Sequence, residues 1–252
     1  MFEILILSII QGITEFLPIS SSSHLILISK YLDFNNQNLS IDVSLHIGSF
    51  MAVVIYFKND LFNFFINRKL FIKILLSSIP VMIVGYILVK FDLIEQLRNI
   101  KIIGWTTIIF GILLFTSDKS ERLKNMKYDF NYKSVFLIGI FQILSLIPGV
   151  SRSGITITAA RLLKFERVDS AKISFLLSIP TLAAVSIYGI NNLFQNEDVN
   201  FSLINLLSIF LSFIFSLITI KYFLKYIKTF SLNIFVAYRI LLGIIILIFA
   251  YL

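Results

Sequence analysis

Residues Pro148–Thr158 read PGVSRSGITIT, and the fold follows from how this stretch is read. It lies between an apolar run, Val135–Ile147, and a shorter one, Ile155–Leu163. Pro148–Gly149 breaks the helix that precedes it. A guanidinium (Arg152) and three hydroxyls (Ser151, Ser153, Thr156) follow at the depth of a bilayer. Charge is costly there and marks a functional site by default. Broken backbone at that depth is tolerated only where it is buried in protein or lines a wet cavity. The planar fork of Arg152, the hydroxyls and the free amides opening the next helix suit an anion with several oxygens. Phosphate is the first candidate.

Composition supplies the bilayer. The chain has 252 residues, 58% hydrophobic and 15% aromatic against 14% charged. Its mean hydropathy is +0.91, more apolar surface than a soluble domain can hide. The apolar runs are continuous rather than alternating, which favours helices over a barrel. Net charge is +8, but Lys and Arg gather in short loops between apolar runs. The positive-inside rule and anionic headgroups account for them, and nucleic acid is not an expected partner. There is no Cys, so disulfides and thiolate metal sites are excluded. No Walker loop, dinucleotide fingerprint or HExxH occurs. Met1–Leu17 has no basic n-region, so no cleavable signal is expected.

Basic loops at 58–73, 117–133, 164–172 and 221–228 are placed inside, and the basic-free or mixed loops 31–42, 90–101 and 191–200 outside. Residues 134–163 then begin and end inside, so the PGVSRSG segment enters the membrane and returns. Residues 1–30, divided at Pro18, read as a second hairpin from the outer face. About six full spans remain, of which 43–57 is short. Expected is an all-α polytopic membrane protein, a single domain of residues 1–252. It comprises an inverted repeat of about 1–116 and 134–252 joined by the basic loop 117–133. ITEFLPISSSS (13–23) aligns with ILSLIPGVSRS (143–153) at Pro18/Pro148, Ser21/Ser151 and Ser23/Ser153. KILLSSIP (73–80) resembles KISFLLSIP (172–180). Such repeats bring their polar breaks together near the midplane.

That places Glu15, Ser20, Ser21, Ser22 and His24 beside Ser151–Thr156. Gln11 lies one turn before Glu15 on the same face. Glu15 suits a divalent cation or a proton transfer, and Ser and His at three- and four-residue spacings suit nucleophile and base. The quieter reading makes the serines helix caps and His24 a donor to a carbonyl. No Asp stands ready to orient His24, so a protease-like triad is not supported. His46 is expected to hydrogen-bond Asp42, Arg161 to snorkel to the inner surface, and Trp105 to anchor at the interface. Arg239 lies deep with no evident partner.

QGITEFLPISSSSHL and PGVSRSGITIT resemble the two signature regions of the bacterial undecaprenyl pyrophosphate phosphatase family, the bacitracin-resistance proteins. DVSLHIGSFMAVVIYF (42–57) and SFLLSIP (174–180) have family-like counterparts, so the likeness spans nearly the whole chain. It implies a multi-pass enzyme of the bacterial inner membrane, with two re-entrant hairpins and a site open to the outer face. Such an enzyme removes the terminal phosphate of a C55 isoprenyl diphosphate, recycling the carrier lipid for cell-wall synthesis with a divalent cation, Mg²⁺ or Ca²⁺. Carried over by motif, Glu15, Ser21, His24 and Arg152 are the catalytic positions. Gln11, Ser20, Ser22, Ser151, Ser153 and Thr156 bind substrate, and Glu15 is the metal ligand. Gln11 stands where some members carry a second carboxylate. Implied partners are the lipid diphosphate and membrane lipids, with a homodimer allowed. The nucleophile is left open between Ser21 and water, and the proton acceptor between His24 and Glu15. A lipid-phosphate transporter or flippase would use the same anion-binding turn.

Overall fold

Long apolar runs without charge leave the backbone one way to satisfy itself in a bilayer, the helix. The computed structural model describes residues 2–32, 39–66, 68–91, 93–195 and 203–252. Its helices are α1 (Phe2–Thr14), α2 (Ser21–Leu32), α3 (Leu39–Tyr56), α4 (Lys58–Ile66), α5 (Arg68–Lys90), α6 (Leu93–Leu97) and α7 (Ile100–Asp118). They continue as α8 (Met126–Asp129), α9 (Tyr132–Ile143), α10 (Arg152–Leu162), α11 (Arg167–Gln195), α12 (Leu203–Thr229) and α13 (Asn233–Tyr251). Among the described residues there is no strand, only one isolated parallel bridge, Lys124 to Phe165. The chain is a multi-pass, all-α membrane protein. Among the described residues five helices (α5, α7, α11, α12, α13) are long and apolar enough to cross a membrane, and α1, α3 and α9 are shorter apolar helices. The loops expected at 58–73, 90–101 and 117–133 contain the short helices α4, α6 and α8. Half of each of the expected outer loops 31–42 and 191–200, residues 33–38 and 196–200, lies outside the described residues, and the rest continues the neighbouring helices. Helix starts follow the side chains that can cap them: Asn99, Asn125 and Asn131 each accept a backbone N–H of the first turn.

In a bilayer, apolar burial does not by itself distinguish a neighbouring helix from lipid, so close packing and small polar residues decide which faces meet. The contact of α12 with α3 follows that rule. Ser212 Oγ donates to Leu45 O at 2.7 Å, and Ser49 Oγ stands 3.2 Å from Ser212 Oγ and 3.1 Å from Ser216 Oγ. Gly48 lets the backbones close, since a Cβ there would fall 2.4 Å from Ile209 O. Aromatic rings fill the core, with Phe175 edge-on to Phe16 at 5.3 Å and Phe223 edge-on to Phe235 at 5.4 Å. Phe136, Ile187, Phe210 and Phe249 point outward, as lipid contacts do.

Several helix contacts survive exchanging α1, α2, α3, α5 and α7 with α9, α10, α11, α12 and α13, although α10 packs on α7 and α11 more extensively than α2 packs on α13 and α3 among the described residues. Thus α1 packs on α12 as α9 packs on α5, α3 on α12 as α11 on α5, while α7 meets α13 and α3 meets α11. Under that exchange KILLSSIP of α5 and SFLLSIP of α11 are not counterparts. They are neighbours, joined where Ser78 Oγ donates to Leu177 O at 3.4 Å. Both segments keep a proline inside their helix, Pro80 and Pro180.

Candidate functional site

The site is built on two breaks. After α1 the chain runs through Pro18 to Ser20, whose φ is 78°, and α2 begins at Ser21. After α9 a turn of 3-10 helix (Leu144–Leu146) leads through Pro148 and Gly149 (φ 94°) to Ser151 (φ 70°), and α10 begins at Arg152. The two positive-φ serines are therefore the counterparts. The register after the prolines is one residue away from the Ser21/Ser151 match of the sequence alignment, because the second break holds an extra residue. Ser151 Oγ caps α10 by accepting Gly154 N–H at 3.1 Å.

Breaking a helix frees carbonyls that must find donors. Arg239 of α13, fully buried, supplies them: it donates to Pro18 O (3.2 Å), Val150 O (3.0 Å) and Gly149 O (2.8 Å), while its Nε donates to Thr107 O of α7 (3.2 Å). One guanidinium thus ties both breaks together. Thr106 Oγ1 lies 2.6 Å from Pro148 O, and Ser153 Oγ donates to Leu17 O at 2.7 Å, a second strap between the breaks.

On this scaffold Glu15 meets Arg152. Arg152 Nη2 donates to Glu15 Oε1 at 2.8 Å, with side-chain exposures of 13% and 7%. Arg152 Nη1 donates to Ser174 O at 3.3 Å. The other carboxylate oxygen, Oε2, accepts Ser21 Oγ at 2.8 Å and Gln11 Nε2 at 3.2 Å. A serine hydroxyl, a carboxylate and an arginine fork therefore stand in series. The arrangement can bind an anion, present a hydroxyl and receive its proton.

These groups open on a cavity of about 540 Å³. Its polar wall includes Glu15, Ser20, Ser21, Ser22, Ser151 and Arg152, and its apolar wall is made by α5 (Val81, Met82, Tyr86, Val89) and α11 (Leu182, Val185, Tyr188). Four other expected site residues are not on that wall. Gln11 is buried behind Glu15, Ser153 is turned to Leu17, and Thr156 Oγ1 lies 2.7 Å from Ser174 Oγ. His24 has its Nδ1 2.6 Å from Ser20 O and its Nε2 2.6 Å from Tyr238 Oη. A carbonyl can only accept, so Nδ1 carries a proton, and Nε2 pairs with a hydroxyl that can donate or accept.

His46 does hydrogen-bond Asp42, through the backbone carbonyl at 2.8 Å, and its side chain also lines the cavity. Sequence reasoning missed that second role, together with Gln142, Ser145 and Thr181 of the wall. His46 carried a signal, a lone imidazole in an apolar run. Arg161 does not snorkel. It is fully buried, donates to Phe165 O, Asp118 O and Ser120 O, and stands 3.7 Å from Asp118 Oδ1. Those carbonyls come from the end of α7, from the loop that follows it and from the turn after α10.

The resemblance implies a divalent cation. Among the described residues no group of three or more His, Asp or Glu makes a cage for one. Glu15, with the buried and unpartnered Oε1 of Gln11 beside it, offers hard oxygens of the kind Mg²⁺ and Ca²⁺ take. The donor set fits an ion held by one carboxylate together with substrate phosphates, and not an ion held by protein alone.

The family model described as bacitracin resistance protein BacA matches residues 4–245. An undecaprenyl-diphosphatase of Pelagibacter ubique (strain HTCC1062) is 52% identical over 251 residues, covering 99% of this chain and 97% of that protein. Relatives of the same name from Roseobacter denitrificans (strain ATCC 33942 / OCh 114) and Jannaschia sp. (strain CCS1) are 37% and 35% identical over 264 residues, each covering 100% of this chain and 99% of the relative. Matched from near one end to the other by both the family model and full-length relatives, this chain belongs to the bacitracin resistance protein BacA family.

Proposed function

We propose that the protein hydrolyses undecaprenyl diphosphate to undecaprenyl phosphate and inorganic phosphate at the Glu15–Arg152 site. The observation that carries this is the hydrogen-bonded series Ser21–Glu15–Arg152 on the polar wall of a cavity whose other wall is apolar. The diphosphate is held by Arg152 and the amides opening α10, and the prenyl tail lies between α5 and α11. Phosphoryl transfer is mostly a matter of position and charge, so few protein groups need to react. Glu15 takes the proton of the attacking group, either Ser21 Oγ or a water in its place. Its 2.8 Å bond to Ser21 supports that role over His24, whose nitrogens serve Ser20 and Tyr238. The bond between the terminal phosphorus and the bridging oxygen breaks, and undecaprenyl phosphate leaves. If water attacks, inorganic phosphate forms in the same step; if Ser21 attacks, a water then hydrolyses the phosphoserine, Glu15 again taking the proton, and inorganic phosphate leaves.

Glu15 cancels the charge of Arg152, so the pair alone is neutral toward a diphosphate. A divalent cation, when bound at Glu15 and the phosphates, supplies the missing positive charge. The enzyme belongs to the bacterial cell membrane with its cavity toward the outer side, where released carrier lipid is recycled for cell-wall synthesis. It is a single domain of two inverted repeats, about 1–116 and 134–252, each with a re-entrant hairpin. The exchangeable helix pairing supports that division.

The test is phosphate release from C55 isoprenyl diphosphate by purified protein in detergent, with and without EDTA, beside Arg152→Ala. Expected is metal-dependent release that the variant lacks. No release from folded wild type across several metals would overturn the reading.

A further inference from the structure

Gln142 lies in the last turn of α9 and leaves no surface to solvent, yet neither Nε2 nor Oε1 has a hydrogen-bond partner among the described residues. A buried amide with both ends unsatisfied calls for an explanation. Its location supplies one, since it belongs to the wall of the cavity that Glu15, Ser21 and Arg152 also line.

Gln11, on the facing hairpin, serves the site by donating to Glu15 Oε2. Gln142 has no such partner among the described residues, so both its donor and its acceptor are left for something that is not protein. An unbranched side chain at the wall brings them into the cavity by rotation about its own bonds.

We propose that Gln142 is a substrate-binding residue for the diphosphate, an inference that rests on the diphosphatase reading above. Its Nε2 donates to a diphosphate oxygen, and its Oε1 accepts from water that enters with the headgroup. A carboxamide suits this role. It adds a directed donor without adding charge, so it neither weakens the Glu15–Arg152 pair nor competes with Glu15 for the proton.

The experiment compares wild type, Gln142→Met and Gln142→Leu as purified full-length protein in detergent, with Tm measured alongside C55 diphosphate turnover. Both variants keep the bulk of the side chain and remove its polar atoms. Expected are Tm values at or above wild type, because an unsatisfied amide has been removed. KM is expected to rise roughly 10- to 100-fold, the range for losing a hydrogen bond to a charged group, with a smaller change in kcat. Inhibition by inorganic pyrophosphate should weaken by the same factor as KM, which a packing role would not produce. Wild-type KM and pyrophosphate inhibition in either variant overturn the proposal and leave the diphosphatase reading intact. Loss of activity only where Tm has also fallen overturns it too. Absence of turnover in wild type removes both readings at once.

Discussion

Arg152 and Glu15 need each other for two reasons. Each is mostly buried, and a buried charge without its partner costs about 3–5 kcal/mol. The arginine also uses both ends of its fork, one toward Glu15 and one toward Ser174 O. Lysine keeps the charge but presents a point rather than a fork, so it cannot hold both contacts and a phosphate together. Arg152→Lys is expected to fold and to lose about 100-fold in kcat/KM, the scale of one charged hydrogen bond. Turnover near wild type would remove the fork from the mechanism. His24 calls for a different experiment, since its ring bridges Ser20 O and Tyr238. If that bridge only steadies the first break, Tyr238→Phe lowers stability by about 1 kcal/mol and leaves the pH–rate profile where it was. A displaced profile would bring His24 into the proton transfer. Charges and hydroxyls in an apolar chain announce themselves, and so Glu15, Ser21 and Arg152 were legible from sequence. The partners of Arg239 were not. They are backbone carbonyls freed by the breaks, and no side-chain letter records them.

At the scale of elements, the two breaks depend on backbone that most residues avoid. Gly149 has φ 94°, and a Cβ there would sit 2.0 Å from Thr106 Oγ1 and 2.8 Å from Ile103 O. Both the conformation and the space exclude a side chain. Gly149→Ala is expected to lower stability by about 3 kcal/mol or more, read as a fall in Tm and in monodisperse yield. Wild-type Tm would mean that the second break takes another path. Ser20 and Ser151 share the left-handed half of the map without being glycine, which adds strain of about 1–3 kcal/mol each. Their neighbours offset it: Ser151 caps α10, and Ser20 Oγ lies 3.0 Å from Ser23 Oγ. The prolines made the existence of the breaks readable in advance. Their register was not readable, because an alignment anchored on proline takes no account of the residue that the second break adds before its serine. KILLSSIP and SFLLSIP, alike in sequence, also meet in space, and small polar residues such as Ser78 are what close packing between membrane helices uses.

For the whole molecule, composition decided the solvent, and loop charge gave an orientation that has consequences at Asp118. This carboxylate ends α7 and receives both Nε (2.6 Å) and Nη2 (2.7 Å) of Arg167, together with the backbone N–H of Leu232 at 3.1 Å. Arg161 lies beside it, so α7, α10, α11 and the start of α13 are tied at one end of the bundle. That end carries the basic segments 119–133 and 164–172, which the positive-inside rule assigns to the cytoplasm. In the proposed orientation the cavity with Ser22 at its wall faces the opposite side of the membrane. Because the chain has no Cys, a single introduced thiol reports its own side without background. Ser22 and Arg122 are both exposed, one at the cavity and the other in the basic loop. Ser22→Cys is expected to react with a membrane-impermeant maleimide applied to intact cells, and inorganic pyrophosphate should slow that reaction. Arg122→Cys should stay unlabelled until the membrane is opened. If Arg122→Cys reacts in intact cells and Ser22→Cys does not, the orientation is reversed and the lipid is dephosphorylated on the inner side. If both react from one side, the two ends of the bundle are not separated by the membrane, and the spans must be redrawn.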